Sequence, residues 1–235
     1  MSLYFFDKML KKLINLLYPK LCYGCDSLLL KNENILCCGC IHDLPITYHH
    51  NLERNDTTKK FYGIIPLEYG SSMFYFYKDG IIQKLIHNLK YRNKQEIGTY
   101  LGKLYAKDLL QINKKHQFTE IIPVPLHQKR LSERGYNQVT TFCEALSSEL
   151  NIPHNPSILF RNKYSKTQTK KNREKRKEVA DSLFDVTFSK QDQGKHFLLI
   201  DDVITSGATL EACAKALLKI PNCKVSIVTI AYTLS

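Results

Sequence analysis

Apolar residues along this chain change period several times, and each change marks an element. Phe6, Leu10, Leu13, Ile14 and Leu17 recur at helical spacing, with Lys8, Lys11 and Lys12 on another face. That spacing predicts an amphipathic helix closed by Tyr18-Pro19. "FYGIIPLEY" and "SSMFYFYK" read as two strands, with a joining turn predicted at Gly70-Ser71. After Asp79 the period returns to three and four. Ile82, Leu85, Ile86 and Leu89 share a face, which predicts one or two helices. Ile121 to Val124 is a short buried strand with prolines at its end, and a helix is expected from about Asn137. "SLFDVTF", "HFLLI" and "KVSIVTIAYT" supply further strands, with a helix from Leu210 to Leu218 before the last. This alternation predicts an α/β domain over residues 61–235, a mostly parallel sheet flanked by helices. Residues 1–48 would form an appended helix and module, and the polar stretch 49–60 a linker.

Composition adds a sign to this picture. The 235 residues are 43% hydrophobic, enough for one sizeable core and a small appendage. Thirty-four Lys and Arg against 22 Asp and Glu give a charge of +12, which favours polyanionic partners without naming one. Only seven of the basic residues are Arg, and five of them (Arg130, Arg134, Arg161, Arg173, Arg176) are clustered. Arg grips phosphate with two parallel hydrogen bonds, so the cluster points to phosphate more strongly than scattered Lys does. Residues 161–177 carry nine basic side chains and one acid, the composition of a basic arm that closes over phosphates or tracks a nucleic-acid backbone. Lys90-Tyr91-Arg92 is also basic, and its plain reading is a solvated helix face. The N-terminus has no secretory cleavage pattern, and no run reaches the ~18 apolar residues of a membrane span. A cytoplasmic location is expected, with the basic helix either packed on its own protein or lying peripherally on the inner face of the membrane.

Five of the eight cysteines fall between residues 22 and 40, in "CYGCDSLLLKNENILCCGC". Cys22-x-x-Cys25 and Cys37-x-x-Cys40 are two knuckles separated by eleven residues, the spacing of a closed, structural tetrahedral zinc site. A disulfide framework would require an oxidising compartment, and a redox motif would need only one pair. Cys38 could replace Cys37 by a register shift, and His42 stands just beyond. Cys143, Cys213 and Cys223 lie in apolar periodic segments and read as core.

Two stretches carry candidate chemistry. After the strand ending at Val124, His127, Lys129, Arg130 and Arg134 crowd one loop, an arrangement suited to an anion at the carboxyl end of a sheet. In "LLIDDVITSGATLEACAKAL" a buried strand runs into Asp201 and Asp202, then into Thr205, Ser206, Gly207, Ala208 and Thr209 ahead of a helix. Small side chains leave the loop's N–H groups free, and the helix N-terminus adds partial positive charge, so the loop suits a phosphate. The two acids can accept hydrogen bonds from adjacent ribose hydroxyls, or hold Mg²⁺ through water. A sugar 5′-phosphate satisfies both halves at once.

The latter stretch resembles the phosphoribosyl-pyrophosphate motif of type I phosphoribosyltransferases. The whole chain resembles one branch of that group, the ComF (ComFC) competence family. The resemblance covers the N-terminal helix, the cysteine pairs, "LIHNLKYRN", "IIPVPLHQKRLSERGYNQ", "TQTKKNREKR" and the phosphate loop. Pro123, Val124, Pro125, Arg130, Arg134, Gly135, Asn137 and Gln138 match the central motif, and Gln168 and Arg176 a third one. Glu178 stands where the family has Asn, which leaves Arg173 and Arg176 as alternatives for one role. The resemblance implies a type I phosphoribosyltransferase-like fold with an N-terminal zinc finger, and Mg²⁺-phosphoribosyl pyrophosphate held by the acid pair, the loop and the pyrophosphate-binding Arg region. It also implies a role in natural transformation, handling single-stranded DNA beside a helicase-like partner and a membrane channel. Active phosphoribosyl transfer to an unknown acceptor is the alternative, though no base-binding hood and no general base are evident. A purely structural adaptor would leave the acid pair and loop without a role.

Overall fold

The computed structural model describes residues 19–162 and 183–234. The expected N-terminal helix and three residues of the basic arm, Gln168, Arg173 and Arg176, lie outside them. Six strands occur among the described residues: β1 (Leu67–Phe76), β2 (Glu120–Pro123), β3 (Leu159–Arg161), β4 (Phe184–Val186), β5 (His196–Ile204) and β6 (Lys224–Thr233). Four form one parallel sheet in the order β1-β6-β5-β2. β3 and β4 pair as a separate antiparallel ribbon. The helices are α1 (Cys38–His42), α2 (Asp56–Lys59), α3 (Ile81–Tyr91), α4 (Glu96–His116), α5 (Gln128–Arg134), α6 (Thr140–Leu150) and α7 (Ala208–Leu217). The expected parallel α/β sheet with helices on both faces is therefore present.

Its two faces carry two cores. Leu198 and Ile200 of β5 join Leu85, Leu89, Leu101, Tyr105, Phe142 and Leu146 on the side of α3, α4 and α6. Phe197 and Leu199 join Leu210, Cys213, Leu217 and Phe184 on the side of α7 and the ribbon. Alternation along a strand dictates this division, and near-continuous apolar runs are what strands covered on both faces require.

Two expectations are corrected. β1 is one continuous strand, with Gly70 opposite Ile227 and Ser71 opposite Val228. Ser71, read as part of the turn, and Ser72 beside it are fully buried and paired: Tyr105 donates its hydroxyl to Ser71 Oγ at 2.8 Å, and Ser72 Oγ lies 2.7 Å from Thr229 Oγ1. Satisfied hydroxyls carry little burial penalty, so hydropathy alone mislocated the break. Residues 49–60, expected as a linker, are packed. Asn55 caps α2 through a capping box, its side-chain amide donates to Gly70 O at 2.8 Å, and His49 Nδ1 lies 3.0 Å from Thr57 Oγ1. Burial holds the His49 imidazole below its ordinary pKa, neutral against its hydroxyl partner.

Helices α4 and α6 approach closely at Gly102. A Cβ there would lie 2.7 Å from both Phe142 O and Ala145 Cβ. An exposed helical Gly→Ala change gains about 1 kcal/mol from propensity. Here Gly102→Ala is expected to lose about 1–2 kcal/mol instead, because backbone must shift to admit the methyl. Urea denaturation of the two proteins at one pH measures the sign.

Candidate functional site

All four strands of the parallel sheet end on one edge, and the candidate residues gather there. Pro123 pairs with Ile200, so the chain leaving β2 passes directly beside the acids that follow Ile200. Asn137 Nδ2 donates to Val124 O at 2.9 Å and closes the intervening segment onto the strand end. Part of that segment, expected as loop, is helix α5. His127 Nδ1 caps it by accepting from Lys129 N at 3.1 Å, and Gly135 ends it at φ +76°.

β5 continues through both acids to Ile204, and their consecutive positions send them to opposite faces. Asp202 turns toward α3 and is buried. Its Oδ2 receives Lys90 Nζ at 2.7 Å and Gln138 Nε2 at 2.8 Å. The Gln138 amide oxygen in turn accepts Arg134 Nη1 at 2.9 Å. Arg134 Nη2 reaches the Tyr91 hydroxyl at 3.4 Å, and the guanidinium lies over the Tyr91 ring at 5.0 Å. The amide can satisfy a cation and an anion at once only in this orientation. Asp201, on the α7 side, has its own oxygen bonded by the Asp202 N–H at 2.8 Å. Removal from water and the neighbouring Asp202 charge raise its pKa to about 8, against the weaker pull of that N–H and of Lys90.

Beyond Ile204, Thr205, Ser206, Ala208 and Thr209 are exposed and Gly207 is buried. Gly207 has φ +84°, a conformation that disfavours any side chain, and begins α7. The loop borders a hollow of about 40 Å³ whose lining includes Asp201 and Thr205 to Thr209. A larger cavity of about 350 Å³ is lined by Lys90, the ion-pair partner of Asp202, and by Tyr91, Asn93, Arg130, Arg134 and Tyr136. Glu133 also lines it, and its carboxylate lies 3.9 Å from Lys129 Nζ. His127 and Lys129 do not line this cavity. Lys90 and Tyr91, read from sequence as a solvated face, are site residues that the pattern concealed. The stretch "LIHNLKYRN" contains them, but nothing in its spacing says that Lys90 reaches an acid far along the chain. Gln138 matched a motif without a role and proves to be the bridge between Arg134 and Asp202.

The sulfurs of Cys22, Cys25, Cys37 and Cys40 lie within 4.8 Å of one another. Tetrahedral coordination with Zn–S bonds of ~2.3 Å requires sulfurs about 3.8 Å apart, and Cys25 Sγ to Cys37 Sγ is 3.6 Å, far longer than a disulfide. N–H groups of Gly24 and Cys37 point at Cys22 Sγ (3.4 and 3.3 Å), and that of Cys40 at Cys37 Sγ (3.4 Å). Hydrogen bonds from the Ser27 side chain and backbone lower the Cys25 thiol to about 6. Burial and the neighbouring thiols push Cys40 the other way, well above its ordinary range, so it is the sulfur spacing that fits a zinc ion. Cys38 is exposed with its N–H on Glu33 Oε1 at 2.7 Å, so Cys37 is the member of the cluster, and His42 is exposed outside it. Cys143 and Cys213 are buried core residues.

A parallel sheet ending in an acid pair and a small-residue loop ahead of a helix defines a phosphoribosyltransferase-like domain, here joined to a four-cysteine module. A family model described as "Phosphoribosyl transferase domain" matches residues 140–235. Competence protein F of Haemophilus influenzae is 34% identical over 140 residues, 58% of this chain and 61% of that protein. DNA utilization protein YhgH of Shigella flexneri is 30% identical over 65% of this chain and 68% of its own length. Competence protein ComFC of Bacillus subtilis is 28% identical over 85% of this chain and 78% of its length. The chain belongs to the ComF competence family. Among the described residues no helix is long and apolar enough to cross a membrane.

Two outcomes are expected. The unfolded chain loses the Asp201 proton near pH 4 while the folded protein holds it to about 8, so the folded state binds more protons in that window and stability falls as pH rises through it. Asp201→Asn removes this penalty. Its unfolding free energy should exceed that of the wild type at pH 8, by a margin on the order of 2 kcal/mol that shrinks toward pH 5. Metal analysis and melting with a chelator test the cluster: Cys37→Ser should release zinc and lower the melting temperature, whereas Cys38→Ser should change neither.

Proposed function

We propose that this protein serves DNA uptake and natural transformation, binding single-stranded DNA and phosphoribosyl pyrophosphate in the cleft at the carboxyl edge of its parallel sheet. The observation that carries the reading is the chain of contacts from Arg134 through Gln138 to Asp202 and Lys90, which joins the basic cavity to the acid pair beside the phosphate loop. Thr205–Thr209 would take the 5′-phosphate, Asp201 and Asp202 the ribose hydroxyls, and Arg130 and Arg134 the pyrophosphate or the DNA backbone. Gln168 and either Arg173 or Arg176, which lie outside the described residues, would add to the pyrophosphate or DNA contacts. Mg²⁺ would neutralise the pyrophosphate. The names of the relatives support the uptake role, and the +12 charge supports a polyanionic partner. A competence helicase and a membrane channel are the expected neighbours, with the protein in the cytoplasm or peripheral at the membrane's inner face.

Active phosphoribosyl transfer is a second reading, favoured by one observation. Asp201, with a pKa of about 8, is poised to exchange a proton near neutral pH, as a general base requires. Pyrophosphate release that is lost in Asp201→Asn while ligand binding persists would support it.

Calorimetric titration with Mg²⁺-phosphoribosyl pyrophosphate tests the main reading. Asp202→Asn, shown folded by its melt, should bind about 10- to 100-fold more weakly, the loss of charge-assisted hydrogen bonds. Single-stranded DNA should compete, and Arg130→Gln should reduce its salt slope by roughly 0.7. Unchanged affinity in Asp202→Asn removes the acid pair from the ligand site, and DNA binding with an unchanged slope moves the strand elsewhere.

A further inference from the structure

A basic cavity needs no aromatic wall to hold phosphate, yet this one has Tyr91. The residue remains 64% exposed although Arg134 lies over its ring at 5.0 Å and the His87 ring centre is 5.1 Å away. Exposed tyrosines are ordinary on a protein surface, and Tyr48, Tyr62 and Tyr77 are exposed to a similar degree. None of those three lines the cavity, whereas Tyr91 is both in it and held in place. Arg134 reaches its hydroxyl with one nitrogen and is itself fixed by Gln138 with the other. Across the same cavity stands Arg130. A rigid aromatic ring beside a guanidinium, next to charge that follows a phosphate backbone, combines the two elements of sequence-tolerant single-strand recognition.

We propose that Tyr91, braced by Arg134, stacks a nucleobase whose adjoining phosphate lies against Arg130. This rests on the reading of the cleft as a nucleic-acid site and adds the contact made by the base. Stacking accepts any base, since each presents a π face. The position also sets the base one bridge, through Arg134 and Gln138, from Asp202. A strand in the cavity would thus run past the acid pair rather than along a separate surface.

The chain contains no tryptophan, so Tyr91→Trp places a single fluorophore at the contact. Its fluorescence should be quenched by oligothymidylate and not by an abasic oligomer with the same number of phosphates. Tyr91→Ala should bind oligothymidylate about 5- to 150-fold more weakly, leave abasic binding unchanged, and be rescued by Tyr91→Phe. An equal loss on both oligomers, or no loss, with Trp unquenched, overturns the stacking contact while leaving DNA binding standing. If the wild-type protein binds neither oligomer, the DNA reading fails by itself. Thymidine 5′-monophosphate then decides the base site: quenching of the same Trp supports it, and its absence overturns it.

Discussion

Everything at the carboxyl edge depends on β5 being buried on both faces. A strand so placed must be apolar until it emerges, and Phe197 to Ile200 are wholly buried. Its two acids come only after that run, toward its carboxyl end. Because consecutive side chains alternate, two adjacent acids cannot share one environment. Asp202 meets the Lys90 ammonium and the Gln138 amide, whereas Asp201 faces α7 with no cation in hydrogen-bonding contact among the described residues. One motif therefore yields two carboxyl groups in contrasting surroundings. Such contrast is a recurrent means of dividing roles between paired acids.

The arrangement opposes stability. A buried ion pair such as Lys90–Asp202 has Coulomb attraction set against desolvation of both charges, and its net worth is commonly near zero. Removing one partner is far more damaging than replacing both, because the remaining charge is left buried. The uncompensated Asp201 carboxyl adds a cost that rises with pH. Ionisable groups held at such a cost mark this edge as the candidate functional site, whereas the buried serines and threonines of β1 and β6 are neutral and paired.

The sheet was legible in the sequence because its strands are nearly continuous apolar runs, and the four-cysteine cluster because its spacing is strongly specific. Local polarity was the misleading signal. Ser71-Ser72 and the stretch from His49 to Thr58 looked like solvated connections, yet their hydroxyls, imidazole and amide find partners across β1 and β6. Position along a chain carries no record of such pairing. The same limit concealed Lys90. Its neighbours Leu89 and Tyr91 show helical periodicity, but the acid it meets lies beyond six intervening elements of the described residues, α4, β2, α5, α6, β3 and β4. Gln138 was visible only through resemblance, since a glutamine has no periodic or charge signature of its own.

The cysteine module is tied to this cleft more tightly than an appended staple would be. Cys22, Leu36 and Cys40 pack into the same core as Leu85 and Leu89 of α3, the helix that presents Lys90 and Tyr91. A Cβ on Gly24, inside the first knuckle, would lie 2.9 Å from Cys40 Sγ and 3.1 Å from Ile81 at the start of α3. Tyr23 in turn donates its hydroxyl to Glu96 at 2.6 Å, where α4 begins. Close packing transmits displacement rather than absorbing it. A metal that held the knuckles would therefore also steady the helix whose far end meets Asp202.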